Sequence, residues 1–240
     1  MMKNRLLVVV TNQDHYQGSE VPTGLWLSEL THFWDLMEQE SVVMDIISPR
    51  GGRSPLEPKS LTGFSMDRST RRRFKDSVFM NKLNQTRAAA DVDWRDYDGI
   101  YYTGGHGVMF DFHNNQSLND LNRNLYENGR IVASVCHGYC GLLNTRLSNG
   151  EFMVKDKKLT GFAWVEEKLA GVADKVPYNV EQEIKSRGAR YKKSLLPFLP
   201  FVQRDGNLIT GQNPYSAKRV AQQTLLALKE LRLAGGAVAS

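Results

Sequence analysis

The chain has 240 residues, 41% of them apolar and 24% charged, proportions that support a packed core and exclude wholesale disorder. A net charge of +5 raises nucleic-acid binding, but Arg71-Arg72-Arg73 and the Lys155, Lys157, Lys158 cluster lack interleaved aromatics and match no nucleic-acid module; they read as solvated surface. No apolar stretch approaches the roughly 20 residues of a membrane span, and two cysteines, Cys136 and Cys140, make no disulfide framework, which suits a reducing, cytoplasmic setting.

Met1 to Arg5 precede an apolar run as in a signal peptide, but the run is short and no small-residue cleavage site follows, so Leu6–Thr11 reads as a first strand. Leu25, Trp26, Leu30, Phe33, Trp34 and Met37 then keep helical spacing, with Thr23 as the expected cap. The aromatics of that face are expected in the core or at a subunit contact, and His32 stays ambiguous. Val42–Ser48 is the next strand. Residues 53–95 are polar and weakly periodic, with helices expected near 70–76 and 78–87, and read as an insertion outside the sheet that would suit a lid or an oligomer surface. Gly99–Thr103 is a strand entering Gly104-Gly105-His106-Gly107, Leu118–Asn128 a helix closed by Gly129, and Ile131–Val135 another strand. Beyond it Lys158–Thr160 and Asn207–Thr210 read as strands, Val180–Arg187 and Ala217–Leu231 as helices, and 234–240 as a mobile tail. Alternating strands and helices imply a mainly parallel sheet covered on both faces, with the site at the carboxyl ends of its strands. One large domain over 1–233 is the preferred division.

Residues 131–138, Ile-Val-Ala-Ser-Val-Cys-His-Gly, carry the chemistry. Ser134, Cys136 and Gly138 have the small-x-nucleophile-x-Gly spacing of a strand-to-helix elbow, which exposes a nucleophile above a sheet. A helix opening at His137 would favour the thiolate through its dipole. Cys140, one helical turn on, suits neither disulfide geometry nor a zinc spacing and reads as a packed small hydrophobe. The glycines at 104 and 105 lack the Lys-Ser/Thr of a phosphate loop, so no nucleotide is expected; Gly105 would let its N–H and that of His137 face a developing oxyanion, with His106 lining or filling the pocket. Glu29 is a charge out of pattern beside the apolar face of the first helix.

Glu29, the 103–107 turn, Val135-Cys136-His137-Gly138, and Thr160-Gly161-Phe162 ahead of Glu166-Glu167 together resemble the ThiJ/PfpI superfamily, most closely its heat-shock chaperone and glutathione-independent glyoxalase branch. The resemblance implies a class I glutamine amidotransferase-like fold: a flavodoxin-like α/β three-layer sandwich with a nucleophile elbow. It implies Cys136 as nucleophile on a 2-oxoaldehyde such as methylglyoxal, His137 as the base, Glu29 against the sulfur, and an acid after the Thr-Gly-Phe turn, with Glu167 preferred over Glu166. Gly105, His106 and His137 would bind substrate. No cofactor, metal, nucleic acid or membrane is called for, and a homodimer is implied. A stress holdase and a cysteine-based redox sensor are the alternatives, with deglycase or peptidase activity ranked below them. A glutamine amidotransferase is disfavoured because no histidine follows His137.

Overall fold

The computed structural model describes residues 3–238. Nine strands and eight α-helices follow in order: β1 (Arg5–Val9), α1 (Leu27–Gln39), β2 (Val43–Ser48), α2 (Arg68–Lys75), α3 (Ser77–Asn84), β3 (Arg87–Ala88), β4 (Gly99–Tyr102), α4 (Val108–Asp111), α5 (Gln116–Glu127), β5 (Ile131–Val135), β6 (Lys158–Leu159), α6 (Trp164–Leu169), α7 (Val180–Ser186), β7 (Arg190–Tyr191), β8 (Val202–Asp205), β9 (Leu208–Gly211) and α8 (Ala217–Val238). A seven-stranded sheet runs β3-β2-β1-β4-β5-β9-β8, parallel except for β8. β6 and β7 pair separately.

Alternation along the strands explains the two cores. Leu6, Val8, Tyr101, Ala133 and Ile209 face α1 and α8, while Leu7, Val9, Ile100, Tyr102 and Val132 face α4 and α5. Strands apolar on both faces are what a parallel sheet sandwiched between helices demands. The chain winds outward from β1 to β3, then crosses back to β4 on the other side of β1. Loops leaving β1 and β4 therefore diverge, and such a switch point opens a crevice at the carboxyl edge of the sheet.

Several expectations need correction. Thr23 does not cap α1: its hydroxyl donates to Glu57 Oε2 at 2.8 Å, and α1 starts after Trp26. The 53–95 segment is not wholly outside the sheet, since β3 extends the edge beside β2; its two helices, α2 and α3, are capped by Asp67 and Asp76, whose carboxylates accept Thr70 and Phe79 N–H. Arg71 and Arg72 are exposed, as expected of solvated surface, whereas Arg73 is largely covered; both Arg72 and Arg73 pair with Asp35 on α1. The closing helix continues to Val238, so the expected tail is helical for all but residues 239 and 240, which lie outside the described residues.

Candidate active site

Cys136 follows β5 at φ +54°, a left-handed conformation that costs a non-glycine residue strain and marks the expected elbow. The segment after it, Cys136–Leu142, is a 3₁₀ helix rather than an α-helix. Its dipole does not give an acidic thiol: burial, with the Glu29 carboxyl alongside, pushes Cys136 well above an ordinary thiol, and the His137 backbone N–H opposes this only in part.

Glu29 lies fully buried on the inner face of α1, and its Oε2 accepts the Gly104 N–H at 2.7 Å. A Cβ at Gly104 would stand 2.7 Å from that oxygen and 2.9 Å from Cys136 Cβ, so only glycine lets helix, turn and elbow meet. Burial lifts Glu29 to about 8, opposed by the neighbouring Cys136 thiol and the hydrogen bond from the Gly104 N–H. Near neutral pH the carboxyl therefore holds its proton and is a neutral donor beside the sulfur. Gly105, at φ +100°, presses against the Gly24 carbonyl and forms the cavity wall with His137.

His137 Nδ1 lies 3.3 Å from Cys136 Sγ, and its Nε2 lies 2.7 Å from Glu167 Oε2. The other oxygen of Glu167 meets His106 Nε2 at 2.9 Å. Burial lowers His137, against the pull of Glu167, so the ring rests neutral. Burial works to raise Glu167, but its electrostatic attraction to the polar His137 ring and the hydrogen bonds of both rings outweigh it and hold the carboxylate ionised. With Glu167 accepting at both oxygens, each histidine carries its proton on Nε2, leaving the His137 Nδ1 lone pair aimed at the thiol. The donor atoms of His106, His137 and Glu167 all lie within 4.8 Å of one another, a His₂-carboxylate set suited by type to a divalent transition metal.

The structure thus brings Glu29, Gly105, His106, Cys136, His137 and Glu167 together. Glu166 points elsewhere: its carboxylate accepts the N–H groups of Ala163 and Phe198 and the Asn213 side-chain amide. Cys140 is buried and free, and burial pushes it far above an ordinary thiol. Trp26 is not core, as its helical spacing suggested, but lines a cavity of about 310 Å³ with His32, His106, Cys136, Phe162, Phe198 and Tyr215. Lys59 and Ser65, from the 53–95 segment, complete its rim. Neither Phe198 nor Tyr215 stands out in the sequence; for Phe198 the one signal is the apolar run Leu195–Phe201, interrupted by Pro197 and Pro200 and so unsuited to a regular element. A wider groove of about 850 Å³ between α1, α2 and α8 is lined by no cysteine among the described residues.

An elbow cysteine above a parallel sheet, partnered by a helix glutamate, defines a class of cysteine-centred α/β proteins, and the chain belongs to one such family, DJ-1/PfpI, whose model matches residues 23–227. It is 30% identical to the glutathione-independent glyoxalase HSP31 of Saccharomyces cerevisiae, covering 95% of this chain and 98% of that protein. Glyoxalase 3 of Candida albicans is 28% identical, with 95% and 99% covered. Among solved structures, glyoxalase III of Candida albicans superposes with TM-score 0.87 at 27% identity, covering 93% and 97% of the two chains. Rapid Encystment Protein 24 KDa of Francisella tularensis gives TM-score 0.90 at 34% identity, covering 95% and 99%. These likenesses bear out the flavodoxin-like α/β fold and the family the motifs resembled.

Proposed function

We propose that this protein is a glutathione-independent glyoxalase that converts methylglyoxal and related 2-oxoaldehydes to 2-hydroxy acids, with Cys136 as nucleophile and His137 as base. The observation that carries this reading is the Cys136–His137–Glu167 chain, with contacts of 3.3 and 2.7 Å, closed on the sulfur's other side by Glu29. Because Cys136 is not acidic by itself, attack requires His137 Nδ1 to accept the thiol proton as the carbon–sulfur bond forms. The aldehyde oxygen becomes an alkoxide, takes that proton, and yields a hemithioacetal with His137 neutral again. Backbone N–H groups of Gly105 and His137 are the donors for this oxygen.

His137 then removes the hydrogen on the former aldehyde carbon, its electron pair forming an enediol with the neighbouring carbonyl carbon. Return of a proton to that neighbour and loss of one from the first hydroxyl leave a thioester of the hydroxy acid. Water cleaves the carbon–sulfur bond, releasing the acid and the thiol. The first carbon is oxidised and the second reduced, so no external oxidant or reductant is needed. Glu167 fixes the ring tautomer and stabilises the imidazolium each time it forms. Protonated Glu29 donates to the sulfur when it carries charge.

Incubation with methylglyoxal in the absence of glutathione, followed by NMR for lactate, tests the reading. Wild type should form lactate, Cys136→Ala and His137→Ala should lose most or all of that activity, and Glu29→Gln should retain a reduced but measurable rate. Undiminished turnover by Cys136→Ala would sink it. A holdase reading draws on one observation, the exposure of Leu195, Leu196 and Leu199; undiminished suppression of client aggregation by Cys136→Ala is its expected signature.

A further inference from the structure

The cavity of about 310 Å³ has the volume of about ten waters at roughly 30 Å³ each. It falls within the size range, about 300–1,000 Å³, of sites that enclose drug-sized ligands. The single methyl substituent of methylglyoxal leaves most of that space unfilled. Much of the remaining wall is aromatic and continuous with the reaction centre. The His137 ring packs on Phe162 with centroids 4.5 Å apart, and Phe162 meets Phe198 at 6.3 Å, so a row of rings leads from the base to the mouth. Trp26 and Tyr215 stand at the same cavity.

Phe198 is held in place at some cost. Its φ of +61° lies in the left-handed region, an outlier for a bulky residue. Such a conformation persists only when surrounding structure over-determines it, and here the restraints come from buried polar groups beneath the strap formed by residues 194–201. Glu166 accepts the Phe198 N–H at 2.7 Å and the Asn213 amide at 3.0 Å, while the same amide donates to the Leu199 carbonyl at 2.9 Å. Gln212 Oε1 accepts the Ser194 N–H at 2.8 Å, and the Ser216 hydroxyl accepts the Phe201 N–H at 3.1 Å. Leu195, Leu196 and Leu199 are exposed, so apolar burial of those leucines does not hold the strap down. A network that anchors a strained phenylalanine beside the cavity, from the glutamate preceding Glu167, ties the apolar wall to the same helix turn that carries the carboxylate of the triad.

We infer that Phe198 is a specificity-determining residue: with Phe162 it forms a wall for the side group of 2-oxoaldehydes bearing a bulky apolar, in particular aromatic, substituent, and Glu166 is the residue that positions it. This rests on the glyoxalase reading and names its preferred substrate class. The bond changes are those given above, with the substituent unaltered, so an arylglyoxal and water yield the aryl hydroxy acid.

The test compares kcat and KM for methylglyoxal and phenylglyoxal in wild type, Phe198→Ala, Phe198→Gly, Glu166→Gln and the exposed control Leu195→Ala. Wild type should favour phenylglyoxal in kcat/KM. Phe198→Ala should reduce that preference at least tenfold, mainly through KM. Phe198→Gly, which removes the ring but relieves the left-handed strain, should reproduce the loss while keeping the wild-type melting temperature or raising it. Glu166→Gln should give the same selectivity change in weaker form, and Leu195→Ala should match wild type with both aldehydes. If Phe198→Ala does not fold, the glycine variant decides. Equal losses on both substrates, or a wild-type preference for methylglyoxal, would overturn the wall while leaving the glyoxalase reading intact. Absence of turnover with either aldehyde in wild type would instead overturn the glyoxalase reading, and this inference with it.

Discussion

His106 and His137 share one carboxylate: their rings lie 4.4 Å apart between centroids, and their Nε2 atoms meet opposite oxygens of Glu167 at 2.9 and 2.7 Å. Glu167 therefore fixes two tautomers at once. In Glu167→Gln the amide has one acceptor oxygen and one donor nitrogen, so it cannot accept from both rings. The expected result is a loss of about a hundredfold or more in kcat/KM for methylglyoxal, the scale of a misdirected general base. His106→Asn removes one charge-assisted hydrogen bond from Glu167 and should cost about tenfold, read mainly in kcat.

Glu29 supplies the pH dependence. Its carboxyl is raised from an ordinary 4.5 to about 8 by burial, so its stabilising contribution is complete below about pH 4.5 and is lost as pH rises towards 8. Glu29→Gln keeps a neutral side chain throughout. The stability of this variant relative to wild type should therefore climb between pH 5 and 8, with a slope approaching about 1.4 kcal/mol per unit, and level off above. Urea unfolding at a series of pH values measures it; a flat difference would mean Glu29 is ionised in the folded protein.

Activity should follow the same proton. Ionised Glu29 repels a thiolate, so wild-type kcat/KM should fall as pH rises through about 8. The acid limb should lie below the ordinary histidine value of 6.5, because burial lowers His137 and the base must be neutral. Glu29→Gln should keep the acid limb and lose the alkaline one.

What was legible in the sequence was local. Ile131–Val135 and its elbow show because an apolar β-branched run ends on Cys-His-Gly, and Glu29 shows because a charge interrupts a helical apolar stripe. The choice between Glu166 and Glu167 required the direction of two adjacent side chains at a helix start, which spacing does not encode. β8 was missed because Val202–Asp205 is half-buried and largely polar, an antiparallel edge strand without the apolar run that marked its parallel neighbours. Trp26 looked like core because its helical spacing placed it inside α1; the helix starts one residue later and leaves the indole against the cavity.

The stack of Phe33 on Tyr101, centroids 3.6 Å apart and planes within 5°, joins α1 to β4 behind the site. The Tyr101 hydroxyl donates to the Glu29 carbonyl at 3.0 Å. Tyr101→Phe keeps the stack and loses the hydrogen bond, so it should cost about 1 kcal/mol. Phe33→Ala opens a cavity in the core and should cost about 3–5 kcal/mol. Denaturant midpoints distinguish the two, and lactate formation should fall further in the second because α1 carries Glu29.

Zinc offers a separate check on how the site stores its protons. The donor atoms of His106, His137 and Glu167 lie within 4.8 Å of one another and must draw closer to meet an ion at bond lengths of about 2.0–2.2 Å. Ligation at His137 Nε2 would drive the ring's single proton from Nε2, where it now faces Glu167, to Nδ1, the atom facing Cys136 Sγ. A ring in that state cannot accept the thiol proton, so added zinc should inhibit and EDTA should restore turnover, with wild type active after chelation. His106→Asn removes one of three ligands and should raise the inhibitory zinc concentration at least tenfold. Equal inhibition of both proteins would place the ion on the Cys136 sulfur instead, and would mean that the histidine pair is held too firmly by Glu167 to exchange its protons for a metal.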